Sequence, residues 1–218
     1  MKKTNYLIAN HSLSHPIPGV DSTILNQSSI FSFKNREFIT KEMTDLAYLF
    51  IILDGRAKVV TTQENGKRLI LQFLNPDDLI GELTIIDVEE HIKDVIAMGE
   101  VTCLGIPLTL VKEQLLTNNE FLLFLSQHIG NKLLIRMAHI KEQQTQELKI
   151  RLAKLLLEVS VDGIYHEKHT EIAEYLGVSY RHFMHTFKFF KEQQFIEKTV
   201  LGYAIKEKAL KEFLINES

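Results

Sequence analysis

Between positions 180 and 191 the chain gathers Tyr180, Arg181, His182, His185, Lys188 and Lys191. A guanidinium offers two parallel N–H donors that match the O6 and N7 acceptors of guanine. Tyrosine, histidine and lysine side chains suit base edges or phosphate oxygens. Together they are the chemistry of a nucleic-acid contact, provided one helix face presents them together.

The surrounding stretch, "EIAEYLGVSYRHFMHTFKFFKE" from Glu171 to Glu192, reads as two short amphipathic helices hinged at one glycine. The first helix is expected to start at Thr170. Ala173 falls where two helices cross closely and only a small side chain fits. Gly177 takes the turn, where a left-handed backbone carries no penalty for glycine. Val178 is expected to plug the core, and Ser179 to cap the second helix with its hydroxyl. Ile172, Leu176, Phe183 and Phe187 face inward, which leaves the donor-rich residues facing out. The preceding "LKIRLAKLLLEVSVDG" is predicted as a helix ending near Gly163. The following "FIEKTVLGYAIKEKALKEFL" reads as strand, Leu201-Gly202 turn, strand and terminal helix. That order is a winged helix-turn-helix, in which the second helix enters the major groove. The plainer alternative is a helical hairpin with a solvated polar face.

The first half has a different period. From Ser29 to Ile106 short apolar runs alternate with turn signals, which predicts a β-sandwich or jelly roll. "AYLFIILDG" is expected to stop at Asp54-Gly55, and Asn65-Gly66 to close a hairpin. Further on come the "NPDD" turn, "LIGELTII", the acidic loop "DVEEH" and a last strand. Pro107 can serve as a first helical residue, opening a short helix through "LTLVKEQLLTNN". A longer helix spans 120–147, with Leu125, Ile129, Leu133, Met137 and Ile140 at spacings of three to four. A helix this long needs a partner along its length, so the stripe is read as a dimer interface. Packing on its own domain is the alternative.

Composition bounds the function. The 218 residues carry a formal charge of −3. Positions 149–218 hold 11 Lys/Arg against 10 Asp/Glu, which leaves 14 against 18 for positions 1–148. The second part is the better place for an anionic partner. The single cysteine, Cys103, rules out an internal disulfide framework or a multi-cysteine zinc site. It reads as a buried small hydrophobe, with a redox-sensing thiol as the alternative. The N-terminus lacks the sustained apolar run of a signal peptide. No stretch of about 18 apolar residues is present, so no membrane span is expected. A cytoplasmic location follows as an expectation. There is no Walker loop, nucleophile elbow or His-Glu-xx-His helix, so an enzyme is not expected.

The order of elements, with "FIILDGRAKVV", "PDDLIGEL" and "EIAEYLGVS", resembles the Crp/Fnr superfamily of bacterial transcription regulators from about residue 20 onward. Within it, "EYLGVSYRH" is most similar to the YeiL group. The resemblance implies an α+β chain: a cyclic-nucleotide-binding-like β-roll over 1–118, a dimerisation helix over 119–147 and a winged helix-turn-helix over 148–218. It implies a homodimer on double-stranded DNA, with RNA polymerase as a further partner and an unidentified small-molecule effector. The alternative is a sensing module whose winged helix contacts protein. Gly81 and Glu82 match the family's nucleotide cassette. The Arg-Ser that would hold a cyclic phosphate is replaced by His91 and Ile92, beside Asp87, Glu89 and Glu90. Carboxylates without a guanidinium repel a phosphate. Where cyclic-AMP binders present Thr and Ser on the long helix, this chain has Arg136 and Met137. Cyclic AMP in the usual mode is therefore not expected. One cysteine excludes the family's iron–sulfur cluster, and no histidine has a recognisable haem spacing, so no cofactor or metal is expected. The family's Arg-Glu-xxx-Arg reading pattern is replaced by Tyr180, Arg181 and His185, which predicts a different target sequence.

Overall fold

A computed structural model describes residues 1–6, 16–64 and 66–217. The chain divides into two compact units, Met1–Thr61 with Leu71–Leu134, and Thr62–Ile70 with Ile135–Ser218. Among the described residues no helix is long and apolar enough to cross a membrane.

The first unit is built on strands β1 (Lys2–Asn5), β2 (Ser29–Phe33), β3 (Phe38–Thr40), β4 (Tyr48–Thr62), β5 (Arg68–Leu74), β6 (Leu79–Ile80) and β7 (Asp94–Pro107), except for the ends of β4 and β5 within Thr62–Ile70, which fall in the second unit. The sheet order is β1-β2-β7-β4-β5, with β3 also on β7 and β6 on β4. Its ladders on β2, β4 and β7 are antiparallel. Helix α1 (Ser22–Gln27) enters the sheet, and α2 (Leu108–Glu113) and α3 (Asn119–Thr145) leave it. Adjacent residues of β2 and β4 serve different cores. Phe31, Phe33, Phe50, Ile52 and Cys103 fill the inside of the roll. Ile30, Leu49, Ile51 and Leu104 pack with Leu110, Val111, Phe121 and Leu125 of the helices. Burial on both faces explains why "LFIIL" is a continuous apolar run instead of an alternating one.

Several expectations are revised. Asp54-Gly55 does not end a strand. Strand β4 runs straight through it, and the register against β7 shifts on both sides of Asp54. Gly55 has φ +85, and a Cβ there would collide with the Glu100 carbonyl oxygen. The pair is a bulge that bends a 15-residue strand into a roll. Strand β1, paired from Lys2↔Ser32 to Asn5↔Ser29, carries no apolar signal and was not expected. Pro107 ends β7 and caps α2 instead of opening it. The helix expected through Asn119 stops at Glu113 and is followed by a 3-10 turn, Leu115–Thr117. The Asn118 side chain then starts α3 by accepting from the N–H groups of Glu120 and Phe121. Asn65 of the expected hairpin turn lies outside the described residues, as do positions 7–15 of the N-terminal segment; Gly66 has φ +78.

The second unit contains the end of α3, then α4 (Leu148–Val159), β8 (Ile164–Tyr165), α5 (His169–Tyr175), α6 (Tyr180–Glu192), β9 (Ile196–Lys198), β10 (Tyr203–Ile205) and α7 (Glu207–Asn216). Its small sheet has the order β8-β10-β9. Helix α4 ends at Val159, short of Gly163, because Val161 pairs with Ile164 across a turn with Asp162 and Gly163 at positive φ. Helix α5 begins at His169, one residue before the expected Thr170. Leu152, Leu156, Ile172, Phe183, Phe187, Phe190 and Leu210 are each fully buried in this unit.

The bulge gives a direct test. Gly55→Ala should cost about 1–3 kcal/mol, because alanine must carry the positive φ while its Cβ meets a backbone oxygen. Urea unfolding followed by circular dichroism measures it. Gly66→Ala, which meets nothing within 4 Å, serves as the open-space control and should lose less.

Candidate nucleic-acid interface and effector cassette

Ser179 adopts an extended backbone, and its Oγ accepts the His182 N–H at 3.2 Å, so α6 starts where the sequence placed it. The turn before it holds Gly177 at φ +67, with the Gly177 and Val178 N–H groups donating to Glu174 and Ala173. Val178 is half-buried instead of a full core plug. Two contacts that local sequence does not announce tie the turn down. Gln143 Nε2 donates to the Tyr175 carbonyl at 2.8 Å, and Arg151 Nη1 donates to the Leu176 carbonyl. Both partners are distant in sequence, so no local pattern could reveal them. His139 stacks on Tyr175 at 4.6 Å, and burial pushes the His139 pKa down.

Phe183, Thr186, Phe187 and Phe190 make the buried face of α6. Tyr180, Arg181, His182, His185, Lys188 and Lys191 are all exposed. At 3.6 residues per turn, Arg181, His185 and Lys188 form one row, with His182 and Lys191 flanking it. Glu192 closes the row and lies 3.6 Å from Lys188. That pair is exposed, so separating it costs little. Lys191 leans over the Tyr203 ring of β10 at 5.9 Å.

The cassette in the first unit is organised by α3. Gly81 is buried at φ +98, and a Cβ there would sit 2.7 Å from Leu46 Cδ2. The Glu82 carboxylate accepts from Lys132 Nζ at 2.7 Å, and the same ammonium donates to the Leu79 carbonyl at 2.9 Å. One turn earlier, His128 Nε2 accepts the Leu79 N–H at 3.3 Å. That role requires a neutral ring. Desolvation by burial pushes its pKa down, with Lys132 acting the same way against Asp78 and Glu82. Asp78 Oδ1, at 3.8 Å, is too far for a hydrogen bond. Both side chains of the Glu82–Lys132 pair are mostly buried, at 12% and 14% exposure. The sequence reading missed His128 and Lys132. Their signal was present, since Phe121, Leu125, His128, Ile129 and Lys132 recur at helical spacing on the face that packs on the roll.

The other cassette residues are scattered. His91 is exposed, while Ile92 is a core residue. Arg136 and Met137 are exposed and belong to the second unit. Cys103 is fully buried, and desolvation pushes its thiol up to about 12, which removes the thiolate a redox sensor needs.

Helix α3 has two apolar faces that the single predicted stripe merged. Leu125 is buried in the core of its own unit, and Ile129 packs against that core. The bare face holds Leu123, Leu133, Met137 and Ile140, each more than half exposed. Ser126 and Gly130 complete an alternation of three and four along that face, the pattern of a two-helix seam.

Residues 30–118 match the cyclic nucleotide-binding domain family. Regulatory protein YeiL of Escherichia coli O157:H7 is 33% identical over 179 residues, covering 82% of each chain. The fold is similar to TTHA1359 of Thermus thermophilus, a CRP/FNR-family transcriptional regulator, with a TM-score of 0.66, 22% identity and coverage of 87% of this chain and 100% of that one. It is similar also to TTHB099 of the same organism, a CRP-family regulator, with a TM-score of 0.65, 18% identity and coverage of 84% and 96%. At those identities the structures speak for the fold alone, and the longer sequence match carries the relationship: the chain belongs to the family of regulatory protein YeiL, with a cyclic nucleotide-binding domain at residues 30–118.

Proposed function

We propose that this regulator acts as a homodimer that binds double-stranded DNA sequence-specifically through α6, with β9 and β10 as the wing. The observation that carries the reading is the row Arg181, His185 and Lys188, exposed on a capped helix whose whole apolar face is buried. Arg181 sits in the first turn, where a recognition helix meets base edges. Lys188 lies about two turns further on and suits a phosphate, as a point charge on a flexible stem. The bare face of α3 supports the dimer, because two copies paired there would cover Leu123, Leu133, Met137 and Ile140. Two-fold symmetry would then match a palindromic operator. RNA polymerase is the proposed partner at the promoter.

The cassette supports control by something other than cyclic AMP or an iron–sulfur cluster. Glu82, which would accept a ribose hydroxyl, is already paired with Lys132. No arginine stands at position 91 or 92 for the phosphate. One feature favours the second reading, in which the wing contacts protein: its tip, Val200 and Leu201, is apolar and almost wholly exposed. A gel shift on genomic fragments at several salt concentrations separates the two, since DNA binding releases counterions and must weaken as salt rises.

Leu133→Glu places a charge on the seam without touching the chain's own core and should yield monomers by light scattering; an unchanged dimer removes α3 as the interface. Calorimetry with millimolar cyclic AMP should show no site in the cassette; a micromolar constant lost in Glu82→Gln would overturn that. In selection from randomised DNA, Arg181→Ala should cost about 1–3 kcal/mol per half-site and relax one base pair. Lys188→Ala should weaken all sequences alike and flatten the salt slope by about one unit per lost contact. If Arg181→Ala keeps the wild-type preference at every position, base reading passes to Tyr180 or His185.

A further inference from the structure

The first unit contains a cleft of about 270 Å³ where β2, β3, the loop after β3 and the start of β4 meet. Its walls are the rings of Phe31, Phe38, Tyr48 and Phe50, with Ile39 and Ile92. The Glu82–Lys132 pair is not part of its lining. An apolar concavity with a few convergent polar groups is the general form of a small-molecule site. At about 30 Å³ per water, the volume corresponds to roughly nine non-hydrogen atoms.

We propose that this cleft is the effector site, and that it takes a neutral aromatic molecule of one or two fused rings carrying a hydrogen-bond donor. The rings supply stacking and edge-to-face partners. Charge on the rim selects against ions of either sign. Lys3 Nζ lies 4.8 Å from the Tyr48 centroid, and Lys41 Nζ lies 5.9 Å from that of Phe38, so cations already occupy ring faces here. The Asp45 carboxylate shares the lining with Lys41, so their charges offset and neither sign of ion is drawn in. The donor preference follows from the two lining threonines. The Thr40 hydroxyl donates to the Lys93 carbonyl and the Thr44 hydroxyl to the Lys41 carbonyl. Their protons are committed, and what remains on each oxygen is acceptor capacity.

The cleft also has a route to α3. Leu46 lines it and is packed against Gly81, with no room for a Cβ between them. Ile92, at the far end of the same loop, lines it as well. A ligand that presses Leu46 toward Gly81 loads the segment that carries Glu82, whose carboxylate holds Lys132 of α3. The pocket and the helix are joined by packed atoms and one ion pair, a physical coupling of two sites.

This inference names the effector class for the regulator proposed above and rests on that reading for its biological sense, while its test needs no DNA. Indole, with nine non-hydrogen atoms and one N–H, is titrated into the isotope-labelled full-length protein and followed by amide NMR. Saturable shifts are expected at 39–48, and with the same midpoint at Gly81, Glu82 and Lys132. Thr44→Trp fills the cleft from its exposed rim and should abolish both sets, raising the midpoint at least tenfold. Val88→Trp, on an exposed loop position outside the lining, should leave the wild-type titration intact. Absence of saturable shifts at millimolar indole, or their persistence in Thr44→Trp, overturns the site. Shifts at 39–48 without shifts at Gly81 and Glu82 overturn the coupling. A protein that passes this titration but never binds DNA would sink the DNA reading alone.

Discussion

A 27-residue helix cannot be left with only one of two apolar faces covered without consequence, and α3 stands in that position. One face is spent on the roll through Phe121, Leu125 and Ile129. The other stays bare along Leu123, Leu133, Met137 and Ile140. Isolated helices gain little from propensity alone, and a helix of this length is stabilised mainly by what covers it. The helix starts in the first unit and ends in the second. Its polar contacts follow the same division. Lys132 and His128 hold both backbone groups of Leu79, while Gln143 grips the turn before α6.

The partly buried Glu82–Lys132 pair fits this arrangement. Two charges removed from water are tolerated when they meet each other and their remaining donors are used. Lys132 does so by adding the Leu79 carbonyl to the Glu82 carboxylate. The result is a family cassette whose acid is satisfied from within the chain. An effector acting on such a cassette must either displace the lysine or move the strand beneath it. The close packing of Leu46 on Gly81 makes the second route short.

In the second unit, charge and packing are segregated on a single helix. Phe183, Phe187 and Phe190 are buried, while Arg181, His185 and Lys188 are exposed in one row. The row is positive only locally, since positions 149–218 are close to neutral in sum. The nucleic-acid contact proposed for this row would depend on the placement of a few cations on one face, and bulk charge is a poor guide to such a contact.

The helix pair around Gly177 and Ser179 was legible because its determinants are local: a positive-φ glycine, a capping hydroxyl and apolar spacing act within a few residues. The strand content of the first unit was legible for the same reason. Local pattern was misleading where a partner strand decided. Asp54-Gly55 has the composition of a turn, yet pairing with β7 makes it a bulge. Lys2–Asn5 has no strand pattern, yet the edge of β2 recruits it. The stripe on α3 was visible as apolar spacing, but which residues face the roll and which face outward depends on where the helix docks. The Glu82–Lys132 and Arg151–Leu176 contacts span 50 and 25 residues. The period of most elements, the Ser179 cap and the donors on α6 could be read before any folding, because they depend on neighbours along the chain. Which acid met which lysine, and where a cleft opened, emerged only on folding, because both depend on burial between residues far apart in sequence.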